Sequence, residues 1–539
     1  MDCALESDRT AQSHRALRLS AGDVVGQTAE AGAVTNDDSQ TANIAPGVSP
    51  TLCDLFARTL ARTPDALALR DPRNKPRITG QQAAQLTYAQ ADRAIAALAA
   101  QLAGAGLPVG SVIALQLPNT IEFVLTALAA WRAGLVIAPL PQLWRQAELS
   151  EALNRVGARA IVSTSRIEII DHADLAMNAA VEAFSIRHVF GFGDNLPDGM
   201  IPLDWAMDGD VPALAQGGSV DARRAALVSF DMTPDGLLAV PRSHVNLIAG
   251  GLAITMDANV AQGARLMSSI LPSSFGGLVS SVVTWLLSGG SLSLHHPFDP
   301  QLLEEQIRGE DCDTLIVPGP LALRLAEAGT IDALPGLRQV LGLWRTPERV
   351  AASNDWPARQ AKLADIYLFG EIGLVAAPRL NDGAPADLFA GGVSADARGK
   401  TGELMLTPHG TLGMRGAMVA MAAYRPPPKG SSALLANVPA DYADTFYAAK
   451  RNKTTGAISI TAPPAGLVGV GGYRFREQDL DRWASRLASG AMLTALPDQL
   501  NGFRLAGRTS DNARAREALM ELGLNPLMTE AFRERGSAR

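Results

Sequence analysis

The residues able to do chemistry are few, and most are badly spaced for metal or nucleophile work. Cys3, Cys53 and Cys312 are far apart and odd in number, and no C-x-x-C spacing exists. Neither a zinc site nor a disulfide framework is expected, and free buried thiols in a reducing compartment are the simplest reading. His295 and His296 are adjacent. Neighbours on a strand point to opposite faces, so joint ligation of a metal is not expected. No G-x-S-x-G elbow is present to expose a serine nucleophile. The cations are unevenly placed. No lysine lies between Lys75 and Lys362, and none follows Lys453. The tail carries Arg504, Arg508, Arg514 and Arg516 instead. Arginine does not replace lysine where a compact ammonium has to fit.

Alternating elements must hold these residues. Thr51–Arg70 reads as an amphipathic helix closed by Thr63-Pro64 and then a strand, Leu86–Gly106 and Ile121–Gly134 read as helices, and apolar strands follow at Val112–Pro118 and Leu135–Leu140. Short Gly/Pro turns join them, as in a doubly wound α/β sheet. From Leu266 to Phe298 no residue is charged. The run is broken by proline and glycine into strand, helix and strand, so a buried unit is expected rather than a membrane span. From about residue 385 the pattern changes to short strand-like pieces, GELMLTP, MVAMAAY and AISITAP, as in a small β-barrel. Residues 1–48 are polar and read as a disordered leader, with an early helix around Arg15–Leu19 as the other option. The 539 residues are 47% hydrophobic and 19% charged, enough apolar material for a large core. The net charge of −7 argues against a nucleic-acid backbone as the main partner.

Four pieces, in order, resemble the adenylate-forming superfamily of acyl-CoA synthetases, aryl-CoA ligases and adenylation domains. They are LTYAQADR…GLPVGSVIALQLPNTIEFVLTALAAWRAGLVIAPL, LPSSFGGLVSSVVTWLLSGGSLSL, GELMLT at Gly402–Thr407 and VGVGGYRF at Val468–Phe475. The resemblance spans about residues 50–476. It implies a large N-terminal domain over 49–462, barrel-like from about 385, and a shortened C-terminal α+β lid over 463–539. It implies a two-step reaction: a carboxylate attacks the α-phosphate of ATP, releasing pyrophosphate, and coenzyme A or a carrier thiol then takes the acyl group. Such chemistry needs a Gly/Ser/Thr loop around the phosphates, a carboxylate for Mg²⁺ and a lid lysine.

The resemblance also assigns positions. Ser243-His244-Val245-Asn246-Leu247 sets the register of the phosphate loop onto Phe230–Ala239, where only Thr233 matches. Met232 and Asp235 replace glycines, Leu238 replaces the loop lysine, and Asp231 and Asp235 are acidic where a polyanion would sit. An ordinary strand-to-helix loop is expected there. Arg242 is the nearest compensating cation. Tyr367, Glu371 and Gly373 match the adenine and metal block. Tyr367 would stack on adenine, and Glu371 is either a Mg²⁺-facing carboxylate or a surface residue at a strand end. Trp344, in Leu343-Trp344-Arg345, either fills the pocket or forms a ligand-stacking wall. The ribose aspartate falls on Ala448, with Asp444 as the alternative. Gly471, Gly472 and Tyr473 persist at the hinge, where Pro463 and Pro464 add stiffness.

The expectation is therefore an AMP-dependent carboxylic acid–CoA ligase-like protein, cytoplasmic and without a membrane span. Its cofactors would be ATP and Mg²⁺, with CoA as co-substrate. Its partners would be a small carboxylic acid or acyl ligand and a carrier or partner protein, but no nucleic acid. ATP-driven activation is expected to be weak or absent. The alternatives are an active fatty- or aryl-acid ligase with relocated residues, or a non-catalytic pseudoenzyme that binds a ligand or protein.

Overall fold

The computed structural model describes residues 49–204, 206, 221–393, 401–425 and 441–533. The leader expected over 1–48 and the proline run at 426–428 lie outside the described residues. An eight-stranded sheet runs in the order Gly373–Pro378, Lys362–Phe369, Gln339–Trp344, Thr314–Pro318, Arg265–Ser268, Ser291–Leu294, Leu67–Arg70 and Gln85–Thr87. A seven-stranded sheet runs Gly236–Ser243, Ala225–Thr233, Val136–Pro139, Val112–Leu115, Ala160–Thr164, His188–Phe192 and Met200–Pro202. Six further strands form a barrel-like sheet between Leu388 and Ala462.

The strands of the seven-stranded sheet are apolar on both faces for a simple reason. Ile113 and Leu115 point into the main core, whereas Val112 and Ala114 point the other way, toward the helices Gln146–Val156 and His172–Glu182. Period-two alternation thus feeds two cores from one strand. Between the two large sheets lie the helices Tyr88–Gly104, Ile121–Arg132 and His244–Asp257. Thr87 with Gln90, and Ser243 with Asn246, close capping boxes that fix where two of these helices start. Gly250 and Gly251 let His244–Asp257 approach the segment Phe275–Ser288. A Cβ at Gly250 would lie 2.7 Å from Phe275, and one at Gly251 would lie 2.6 Å from Val283. The uncharged stretch from Leu266 is strand, helical segment and strand, and among the described residues no helix is long and apolar enough to cross a membrane.

Two local expectations are corrected. MVAMAAY is not a strand. Gly416, at φ 119°, turns the chain, Met418 and Val419 bury their side chains, and the Tyr424 N–H donates to the Ala239 carbonyl. Burial of apolar side chains, not a ladder, explains that run. Phe230–Ala239 is not a loop either; it forms two paired strands, as described below.

The C-terminal segment builds its own sheet from Leu467–Val470, Tyr473–Arg476, Met492–Asp498 and Gly502–Arg508. Leu480, Leu493, Leu505, Leu519 and Phe532 share its core.

Trp344 shows how tightly the large sheet is filled. Its indole lies over Gly319, where a Cβ would come within 2.2 Å, and its N–H donates to Asp365 at 2.7 Å. Asp365 in turn pairs with buried Arg379 at 2.9 Å. Gly319→Ala is expected to lower the unfolding free energy by about 1–3 kcal/mol, the usual cost of overpacking. Denaturant unfolding checks this, and an unchanged midpoint would contradict the packing.

Candidate functional site

The cleft lies where the strands Thr314–Pro318, Gln339–Trp344 and Lys362–Phe369 end, and its volume is about 580 Å³. Both neighbouring pairs among these three strands are parallel, so the cleft sits at the carboxyl edge of the sheet, where open α/β folds bind ligands. The C-terminal hairpin forms its other wall. Gly471 and Gly472 make the two-residue turn between Val470 and Tyr473, with φ of 55° and 101°. Only glycine takes two such residues in succession without strain.

The segment aligned with the phosphate loop is a tight β-hairpin. Phe230 pairs with Ala239, Asp231 with Leu238, Met232 with Leu237 and Thr233 with Gly236, leaving Pro234-Asp235 as the turn. The Thr233 hydroxyl donates to the Gly236 carbonyl at 2.9 Å and helps close that turn. A loop was expected because the resemblance aligns this segment with a phosphate loop of which only Thr233 remains. The register of the flanking residues, which shortens that loop to two residues, had no local signal.

Asp231 joins the two halves of the cleft. Its carboxylate accepts from the Arg474 guanidinium at 2.9 and 3.0 Å and from the Glu371 N–H at 2.8 Å. Arg474 also donates to the Tyr447 hydroxyl at 2.6 Å. Burial pulls this guanidinium down, but Asp231 and Tyr447 outweigh burial and hold it above its ordinary range. Gly370 makes room for the pair. Its φ is 58°, and a Cβ there would meet Asp231 Oδ2 at 2.2 Å and Arg474 Nη1 at 2.4 Å.

The remaining candidates divide between cleft and core. Glu371 lines the cleft and is buried. Its Oε2 accepts the Phe275 N–H at 2.8 Å and lies 3.9 Å from Arg242 Nη1. Burial, with Asp231 nearby, raises its carboxyl above the usual range against the pull of Arg242. Arg242 is fully buried, with its guanidinium 3.7 Å above the Phe275 ring and donating to the Glu371 and Ile372 carbonyls. Burial pulls it down to about 10. Tyr367 is buried beside Trp344 in the parallel register, and neither lines the cleft, whereas Leu343, Arg345 and Leu368 do. Gly373 begins a strand and faces Met414. Tyr473 lines the cleft and its hydroxyl accepts the Leu143 N–H at 3.4 Å; burial pushes the phenol up to about 12. Asp444 accepts from Thr411 at 2.8 Å and, like Ala448, does not line the cleft. His295 is committed to Gln306 and the Asp299 N–H, and no group of three His, Cys, Asp or Glu suited to a metal occurs among the described residues.

Five arginines and six carboxyl residues line the cleft, so cations do not outnumber carboxyl groups among the lining residues. Arg155 pairs with Glu151, Arg474 with Asp231, and Arg476 and Arg482 with Asp479. Among the described residues Arg345 is the cleft arginine without a carboxylate within 4.0 Å. The sequence reading passed through Arg345 and Arg474 without weighing either. Each sat beside a more conspicuous residue, Trp344 and Tyr473, and only the fold separates their directions.

Two outcomes follow from the contacts that join hairpin and cleft. Asp231→Asn leaves a largely buried guanidinium without its counter-charge, a loss of about 1–3 kcal/mol after allowance for partial exposure. It is expected to lower the melting temperature and to speed proteolysis at 463–466; unchanged cleavage and melting would contradict the joint. Glu148 accepts the Asn525 N–H at 3.1 Å, and burial raises its carboxyl to about 7 despite that bond and the one from the Arg145 N–H. Its folded value exceeds its unfolded one, so its stabilising contribution is full below about pH 4.5 and is lost as pH rises through about 7. Glu148→Gln should flatten that part of the stability profile between pH 5 and 8, measured by thermal melts across the range.

Comparison with known proteins agrees with this architecture. A family profile described as AMP-binding enzyme matches residues 56–192. The medium-chain fatty-acid–CoA ligase of Escherichia coli K12 is 26% identical over 323 residues, 59% of this chain and 55% of that protein. The chain thus spans about half the length of this curated relative. Among solved structures, the amide bond synthetase McbA from Marinactinospora thermotolerans superposes with a TM-score of 0.64 at 17% identity, over 89% of this chain and 94% of that one. An artificially fused adenylation–carrier didomain, NpsA-ThdA from Klebsiella oxytoca, gives 0.61 at 16% identity over 88% and 91%. Residues 56–192 thus resemble an AMP-binding enzyme, and the chain as a whole shares its fold with these two solved structures.

Proposed function

We propose that this is an acyl-CoA ligase-like protein whose cleft takes a small carboxylic acid or acyl ligand, and whose ATP-driven carboxylate activation is weak or lost. One observation carries the reading: the strand ladder continues to Thr233 and Gly236, and Asp231 is held there by Arg474. A triphosphate needs a curled loop with free N–H and hydroxyl donors and a nearby cation. In this chain the Thr233 hydroxyl is spent inside the turn, the position of the loop lysine is Leu238, and Arg242 is enclosed by carbonyls and a phenyl ring. Glu371 is already engaged by an N–H and a guanidinium, which leaves it poorly placed to hold Mg²⁺. The residues present do not fit Mg²⁺-bound ATP. The same enclosure of Arg242 argues against a ligase that has moved its cation there.

The C-terminal unit is read as the family's lid, over 463–539, docked against the large domain by Asp231–Arg474 and Glu148–Asn525.

Pyrophosphate exchange with a panel of fatty and aromatic acids tests the reading. Loss of one preorganised donor costs about 10²–10³ in rate, so the absence of several predicts exchange at background level. Calorimetry with Mg²⁺-bound ATP should show no saturable binding. Robust acid-dependent exchange would overturn the reading.

A further inference from the structure

The unpaired arginine of the cleft points to a ligand. Arg345 follows the strand Gln339–Trp344, at its carboxyl end. Its Nη2 donates to the Ser274 hydroxyl at 2.7 Å and its Nη1 to the Gly472 carbonyl at 3.3 Å. Those two neutral acceptors hold the guanidinium plane in place. They use two of its five N–H donors, and the group keeps its full charge. It faces a 580 Å³ cleft with no carboxylate within 4.0 Å among the described residues, while every other cleft arginine has one.

The surroundings narrow the ligand. Apolar residues lining the same cleft include Ile270, Leu271, Pro318, Pro320, Leu343 and Leu368. Ser269 and Ser273 are the small polar groups among them. The carboxylates of Asp231, Asp235 and Glu371 also border the cleft. A triphosphate reaching Arg345 would meet that acidic side, whereas a single carboxylate on an apolar body meets one cation and an apolar wall. Planar guanidinium matches a carboxylate with two parallel hydrogen bonds.

We propose that Arg345 is the anchor for the carboxylate head of an unactivated acid, bound without nucleotide, with its apolar body against the wall of Ile270, Leu271, Pro318, Pro320, Leu343 and Leu368. The inference deepens the reading above, on which it rests, by naming the head group and the residue that holds it. Because Gly472 touches the same guanidinium, with a Cβ there only 2.9 Å from Arg345 Cδ, the turn of the C-terminal hairpin forms part of the site.

The test is calorimetry on the full chain in nucleotide-free buffer, with octanoate and benzoate set against octanol and benzamide. The charged members should bind and their neutral counterparts should bind at least tenfold more weakly. Arg345→Gln should weaken carboxylate binding by about ten- to a hundredfold, as loss of a charged hydrogen bond does. Arg345→Lys should restore part of it. Equal binding of acid and neutral analogue by the wild-type chain would overturn the proposal without any variant. So would wild-type affinity in a folded Arg345→Gln, or no binding of either acid. Pyrophosphate exchange is read in parallel on the same wild-type preparation. Exchange together with Arg345-dependent binding would sink the loss of activation and leave the anchor standing, and the converse result would separate them the other way.

Discussion

The cleft depends on one ion pair, Asp231 with Arg474. It is the point where the hairpin of the seven-stranded sheet, the Gly370-Glu371 turn of the eight-stranded sheet and the C-terminal hairpin meet. Neither partner is tolerable alone in that place, because a largely buried charge without its counter-charge costs more than the pair gains over apolar packing. The pair therefore contributes specificity of arrangement more than net stability. It fixes which face of the C-terminal unit looks into the cleft, and the Tyr447 hydroxyl extends that control to the barrel-like sheet.

The fold was legible because its information is local and repeated. The capped start of the helix after Leu86, strands such as Val112–Leu115, and the Gly/Pro breaks after Leu266 each declare themselves within a few residues. The run MVAMAAY misled for the same reason. Its apolar spacing suits a strand, but Gly416 bends the chain and a tertiary core claims Met418 and Val419.

The site was legible in its absences and not in its contacts. Missing lysines and glycines are read directly from a sequence. What replaces them is not, since Asp231 and Arg474 stand 243 positions apart. Asp231 by itself reads as repulsion toward a phosphate, and only the hairpin that brings Arg474 beside it turns that charge into a bond. Arg242 shows the reverse. It was the nearest cation in sequence, yet strand register directs it into the protein, against the face of the Phe275 ring.

The space around Gly370 limits which substitutions the cleft accepts. A β-branched residue there would collide with Asp231 and Arg474 and would also be strained at φ 58°. Removing Asp231 first strands a guanidinium, and lengthening the Pro234-Asp235 turn first breaks a paired ladder. The three positions are therefore coupled: a side chain at position 370, loss of the Asp231 carboxylate, or a longer turn each disturbs contacts in which the others take part, so a change at one is tolerated only with changes at its neighbours.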